Sequence, residues 1–395
     1  MTTTARGGRL FWLACLALVG CGGNDAEPSD ESPPAPMAPD APGPYPVGVT
    51  TISVESAGRT LPVEVWYPAR GGGSAAEYVL QIGVLELARF QSPLSARRDG
   101  RLDRRGAPYP VVVFSHGNGG LRLQSVYLTE YLATHGFVVA APDHVGNTFA
   151  EMVNSANAIE AAEAAKLRPG DVSRSLDAVL AASAESGGEL GGAADSEHVG
   201  VAGHSFGGFT ALRIAGASID SAAVSSDCAM NGGLVCDGWD AAELPASALD
   251  ARFSAALAQA PGGAQAMTAG GHPGFADVAM PVMIQGGTTD QLTPFATEQQ
   301  APYDELPSPA KLLGIEGAGH FTFSDMCLLL DQIGLSNPEF QDGCSPQNIP
   351  WPEAHAIIDR YATAFFQTTL QGLPPDPALD PATPLGTGVK LFSVK

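Results

Sequence analysis

From Val47 onward, runs of β-branched and apolar residues alternate with stretches whose apolar positions recur at helical spacing. That is how a mostly parallel sheet with helices on both faces, an α/β fold, is written in sequence. "PVEVWYPA" (Pro62 to Ala69) alternates apolar and polar positions and predicts a strand, antiparallel and near an edge. "PYPVVVFSHG" (Pro108 to Gly117) is continuously apolar and ends in a turn, the pattern of a central strand buried on both faces. Leu123 to His135 predicts a helix, "GFVVAAPDH" (Gly136 to His144) a second buried strand, and the region around Asp171 to Ser183 a further helix. "EHVGVAGHS" (Glu197 to Ser205) reads as a strand running straight into a glycine-rich turn, with "FTALRIAG" continuing as helix. Later strands are expected at Phe253 to Pro261, Pro281 to Thr288 and Ala310 to Gly319. A final helix, Pro352 to Thr369, gathers Ile357, Tyr361, Ala364 and Phe365 on one face.

The two ends follow other rules. Arg6 and Arg9 precede an apolar stretch, Leu10 to Gly20, of secretory length and too short to span a bilayer. "LVGC" ending at Cys21 has the order of a bacterial lipobox, so residues 1–21 read as a lipoprotein signal and Cys21 as the lipidated residue that anchors the chain to a membrane. A plain secretion signal is the alternative. Residues 22–46 are rich in Pro, Asp, Glu and Ser and bury too little to offset their ordering entropy, which predicts a disordered tether. The main folded unit is expected over 47–370, with an insertion at about 218–249; the Pro-rich stretch 371–395 is left unassigned.

With 45% hydrophobic residues in 395, one large domain has ample core. Twenty basic against 42 acidic side chains, net −22, argue against nucleic acid as a partner. Beyond Cys21, Cys228 with Cys236 and Cys327 with Cys344 form two sequence-local pairs, natural disulfides for an oxidising compartment; buried free thiols are the alternative. No CxxC spacing or nearby paired histidines suggests a metal site, and no cofactor is expected. Cell-envelope localisation, facing the periplasm or the exterior, follows from the leader; oligomeric state does not follow from any feature.

The chemistry centres on "VAGHSFGG" (Val201 to Gly208). A serine hydroxyl is a weak nucleophile unless a base lies within reach, a third group orients that base, and N–H donors face the developing oxyanion. Gly203 and Gly207 leave room for a tight strand-to-helix crossing that exposes Ser205 above the sheet. A Gly-x-Ser-x-Gly match alone is weak in a chain with 47 glycines, but its position between a strand and a helix strengthens it. An α/β-hydrolase carries its acid and histidine after the serine, each just beyond a strand. Asp290 follows "VMIQGGTT" and His320 follows "LLGIEGAG". Asp290 as a turn or N-cap aspartate is the bland alternative. The oxyanion donors are expected to be the backbone N–H groups of Phe206 and Asn118, the latter in the turn "HGNGG". His116 and His204 are read as braces of these loops, and His144 as a supporting residue that lines the site or bonds to Asp143.

"VVVFSHGNGGLR", "LATHGFVVAAPDH", "VGVAGHSFGG" and "GAGHFTFSD" together resemble the bacterial relatives of platelet-activating-factor acetylhydrolase and the dienelactone-hydrolase-like esterases. The stretch from Thr288 to Phe321 is also similar to the acid-to-histidine region of cutinase-type polyester hydrolases. The resemblance implies an α/β-hydrolase fold and metal-free ester hydrolysis, with Ser205 as nucleophile, His320 as base and Asp290 as orienter. The chain departs from these families in places. "AALAQAPGG" offers no carboxylate where the animal acetylhydrolases carry their acid, Asn118 stands where polyester hydrolases have an aromatic, and the nucleophile is Ser rather than the Cys of true dienelactone hydrolases. A small or lipid-like ester is the expected substrate. An amide or peptide hydrolase with the same triad and a non-catalytic binding module on the same scaffold are the rivals.

Overall fold

Val111 and Val113 enter one apolar layer while Val112 and Phe114 enter the other, so the continuous run from Tyr109 is buried on both faces. In the computed structural model, which describes residues 1–3, 32–82, 85–231, 236–239, 244–333 and 341–395, this run is the seventh strand. The strands are β1 (Val47–Ser56), β2 (Arg59–Pro68), β3 (Ser74–Ala75), β4 (Glu77–Ile82), β5 (Leu85–Gln91), β6 (Arg97–Arg98), β7 (Tyr109–Ser115), β8 (Val138–Pro142), β9 (Ala194–His204), β10 (Ala255–Gln259), β11 (Val282–Gly287), β12 (Ala310–Ile315) and β13 (Val389–Val394). Among the described residues all but β4 and β5 join one sheet in the order β13-β12-β11-β10-β9-β7-β8-β2-β1-β6-β3. The pairings from β8 through β7, β9, β10 and β11 to β12 are parallel. Strand β2 runs antiparallel to β8 and to β1, and β13 antiparallel to β12.

The helices are α1 (Val126–Thr134), α2 (Phe149–Val153), α3 (Ala161–Ala184), α4 (Phe206–Ile214), α5 (Ser221–Asn231), α6 (Ala301–Glu305), α7 (Met326–Ile333), α8 (Gln341–Cys344) and α9 (Trp351–Leu370). Leu176 and Val179 of α3, with Phe209 and Leu212 of α4, cover one face of the sheet. Leu128 and Leu132 of α1, with Phe365 and Phe366 of α9, cover the other. Helix α9 starts with a proline in its first turn and an acidic Glu353, both suited to the positive end of a helix. It approaches the sheet so closely that a Cβ on Gly200 would lie 2.9 Å from the Phe366 ring. The α/β-hydrolase fold class is therefore as the sequence implies.

Several elements depart from expectation. Helix α3 starts at Ala161 rather than near Asp171, because "AAEAAK" is itself strongly helix-favouring. The β4–β5 hairpin was not anticipated; Tyr78 ties it to the body, its phenol donating to Glu130 at 2.6 Å and accepting from the Trp66 indole at 2.8 Å. Residues 33–46, expected as part of a disordered tether, belong to the folded unit Pro33–Lys395. Their backbone groups find partners around the C-terminal end of α1. Tyr45 N–H donates to the Thr134 carbonyl at 3.1 Å and Gly43 N–H to the Thr134 hydroxyl at 2.7 Å, and the Tyr45 ring packs edge-on against Tyr109. The stretch left unassigned at the other end supplies β13, whose Phe392 is buried against Tyr361. Within the expected insertion, Val224 of α5 is buried, and Cys228 is bonded to Cys236; Cys327 is bonded to Cys344. Residues 4–31, which hold all but the first three residues of the expected leader, its Cys21 and the first part of the expected tether, lie outside the described residues.

Candidate active site

Ser205 joins β9 to α4 with φ 56° and ψ −120°, a conformation that costs a non-glycine residue energy and persists only where its surroundings enforce it. Here the main chain is held on both sides: Ser205 N–H donates to the Gln259 carbonyl at 2.9 Å, and its carbonyl accepts from Gly262 N–H at 3.0 Å. A Cβ at Gly207 would collide with the Ser115 carbonyl, and one at Gly203 with the Gly207 carbonyl, so both glycines are required by close backbone approach. Phe206 opens α4, where a backbone N–H has no acceptor within the helix.

Asp290 follows β11 and His320 follows β12, and the structure brings them together. His320 Nδ1 donates to Asp290 Oδ2 at 3.0 Å, which leaves Nε2 as the acceptor. The carboxylate is fixed by Thr293, whose backbone N–H donates to Oδ1 at 2.7 Å and whose hydroxyl donates to Oδ2 at 2.8 Å. Asp342, in α8, accepts from the backbone N–H groups of Gln291 at 2.8 Å, Leu292 at 3.0 Å and His320 at 3.1 Å, and so joins the acid loop to the histidine loop. His204 lies against His320, with ring centroids 4.7 Å apart, and donates from Nε2 to the His320 carbonyl at 3.0 Å. Its Nδ1 accepts from Gln124 at 2.8 Å, and the same Gln124 amide accepts from Gly117 N–H at 2.9 Å. One glutamine thus links the turn carrying Asn118 to the loop carrying His320.

Below that turn the arrangement differs from expectation at His144. It is fully buried and does not bond to Asp143, whose carboxylate is taken by Arg122. Its Nδ1 donates to Asp171 at 3.0 Å and its Nε2 accepts from the Ser115 hydroxyl at 2.8 Å. Ser115, His144 and Asp171 therefore form a second row of the same three residue types, with no exposed surface, whereas Ser205 keeps 8% of its surface open. Burial holds the imidazoles of His116, His144 and His204 well below their ordinary range, so all three are neutral at physiological pH. His116 accepts from His144 N–H at 3.0 Å through Nε2 and donates from Nδ1 to the Gly117 carbonyl at 2.7 Å. Asn118 itself is exposed, its side-chain oxygen accepting from Asn147 at 2.8 Å.

Sequence reasoning did not single out Gln124, Asn147, Arg168, Thr293 or Asp342. Arg168 left one readable trace: it falls in the apolar stripe of α3, between Ala164, Ala165 and Val172, where a charged residue is out of place. Among the described residues no group of three or more His, Cys, Asp or Glu side chains is placed to hold a metal ion.

Residues 75–172 match the family model described as platelet-activating factor acetylhydrolase, isoform II. Among solved structures, a ferulic acid esterase from Streptomyces cinnamoneus is similar, with 22% identity and a TM-score of 0.59, over 88% of this chain and 97% of that one.

Proposed function

We propose that this α/β-hydrolase, a carboxylic ester hydrolase related to platelet-activating factor acetylhydrolase, works through an acyl-enzyme on Ser205. The observation that carries the reading is the strained Ser205 on its strand-to-helix turn, together with a His320 already hydrogen-bonded to a buried carboxylate. His320 Nε2 takes the proton as Ser205 Oγ attacks the ester carbonyl, and Asp290 stabilises the imidazolium that forms. The oxyanion is received by the N–H groups of Phe206 and Asn118. Collapse of the tetrahedral species expels the alcohol, which takes its proton from His320. Water then attacks the acyl-enzyme by the same route and releases the acid.

The test uses p-nitrophenyl esters from acetyl to long acyl chains, with a fluorophosphonate label, on wild type and Ser205→Ala. The expected result is turnover and labelling in the wild type and neither in the variant; an active, labelled Ser205→Ala would overturn the assignment. The insertion carrying the Cys228–Cys236 disulfide is proposed to shape the acyl or alcohol pocket. Shortening it is expected to change the chain-length profile. Two disulfides fit an oxidising compartment, and lipidation at Cys21 is proposed to hold the enzyme on a bacterial envelope membrane. Cys21→Ser is then expected to move the protein from the membrane to the soluble fraction.

A further inference from the structure

Arg168 is a buried cation whose hydrogen bonds reach no carboxylate. Its Nη1 donates to the His116 carbonyl, and its Nη2 to the Gly117 carbonyl at 2.8 Å and to the Asn147 amide oxygen at 2.7 Å; Nε reaches the same amide oxygen at 3.1 Å and Nη1 the Ser115 hydroxyl at 3.4 Å. The guanidinium carbon also sits 4.8 Å from the centre of the Phe206 ring. Burial pushes this group down only to about 9, so it is charged at neutral pH. A buried guanidinium is costly to keep unless its rigid fork of donors is filled, and here two successive main-chain carbonyls of a single turn, those of His116 and Gly117, fill part of it.

The direction of those carbonyls matters. In a trans peptide the C=O of one residue and the N–H of the next point to opposite sides. With the Gly117 carbonyl drawn to Arg168, Asn118 N–H is turned away from α3. Gly117 also lies beside the nucleophile, a Cβ built on it falling 3.3 Å from Ser205 Cβ. The same guanidinium supports the ring of Phe206, and through Asn147 it fixes the Asn118 side chain.

The geometry points to Arg168 as the positioning residue of the oxyanion hole: from beneath the turn it aims Asn118 N–H and seats Phe206, without touching substrate. This rests on the proposed Ser205 mechanism. It excludes Arg168 as a substrate-carboxylate binder, since its donors are engaged and it is sealed from solvent.

The experiment compares wild type, Arg168→Lys, Asn147→Ala and Ser205→Ala, with active sites titrated by fluorophosphonate and folding followed by thermal melting. Lysine keeps the charge but cannot hold two carbonyls in a fixed fork. Loss of one oxyanion donor costs about 100- to 1,000-fold in kcat, so a mis-aimed donor is expected to cost about 10- to 100-fold. KM should change little. The second readout is the rate ratio of an ester to its thionoester, whose larger, weaker acceptor sulfur uses the hole poorly. That ratio should shrink in Arg168→Lys, and by less in Asn147→Ala, a change that loss of stability alone does not produce. A folded Arg168→Lys with wild-type kcat per titrated site and an unchanged ratio overturns the inference. If that variant does not fold, Asn147→Ala decides by the same two readouts. Ester turnover surviving in Ser205→Ala would bring down the mechanism itself, which separates that failure from this one.

Discussion

Asp325 shows how a single buried group leaves a mark on the pH profile. Its carboxyl accepts from Tyr127 N–H at 3.2 Å, its own N–H donates to the Gln124 carbonyl at 2.8 Å, and burial raises its pKa from 3.8 to about 7. Between those values the folded state holds a proton that the unfolded state has released. The stabilisation is therefore complete below 3.8 and is lost as pH rises through 7. His355, lowered by burial to about 3, and His135, lowered to about 4, act in the opposite sense. The difference between wild type and Asp325→Asn isolates the carboxyl. Urea unfolding is expected to show the variant gaining on the wild type from pH 4 to pH 8, by on the order of a few kcal/mol. Parallel stability curves would refute this. At this scale the pairing of Asp290 with His320 could be read from the sequence, because the two residue types fall in a known order beyond successive strands. The roles of Arg168, Gln124 and Asn147 were not legible, because each bonds groups on other elements that only the folded chain brings beside it.

Elements hold the acid and base loops together through a third segment. Asp342 collects three N–H groups from the two loops, and the Cys327–Cys344 bond ties its neighbourhood to α7. Asp342→Ala leaves those donors without their acceptor, at about 1–3 kcal/mol for each one kept from water, and lets the loops drift apart. Its kcat is expected to fall at least about tenfold, as misplacement of reacting groups does. Removing the disulfide by a double Cys→Ser change should cost about 3 kcal/mol, read as a lower urea midpoint. The central strands were legible because both their faces are apolar. The β4–β5 hairpin and β13 were not, since short pieces with polar residues on one side read as loop until a neighbouring strand or helix is known.

For the whole molecule, the sheet ends on one side at β13, and residues 33–46 bond at the C-terminal end of α1, both from segments whose composition suggested no structure. A chain ending at Gly372 would bare the edge of β12, and such an edge pairs with other chains. Its expected fate is aggregation, seen in light scattering as loss of the species that the full chain forms, with a soluble truncated chain of unchanged assembly the contrary result. The sealed row of Ser115, His144 and Asp171 has a separate consequence. Ser115 has a well-made contact to a histidine, and that histidine to an acid, yet all three sit in a room with no door. Which serine is chemistry and which is masonry is written in who can reach it, so reactivity toward an outside reagent carries information that no list of interatomic distances holds.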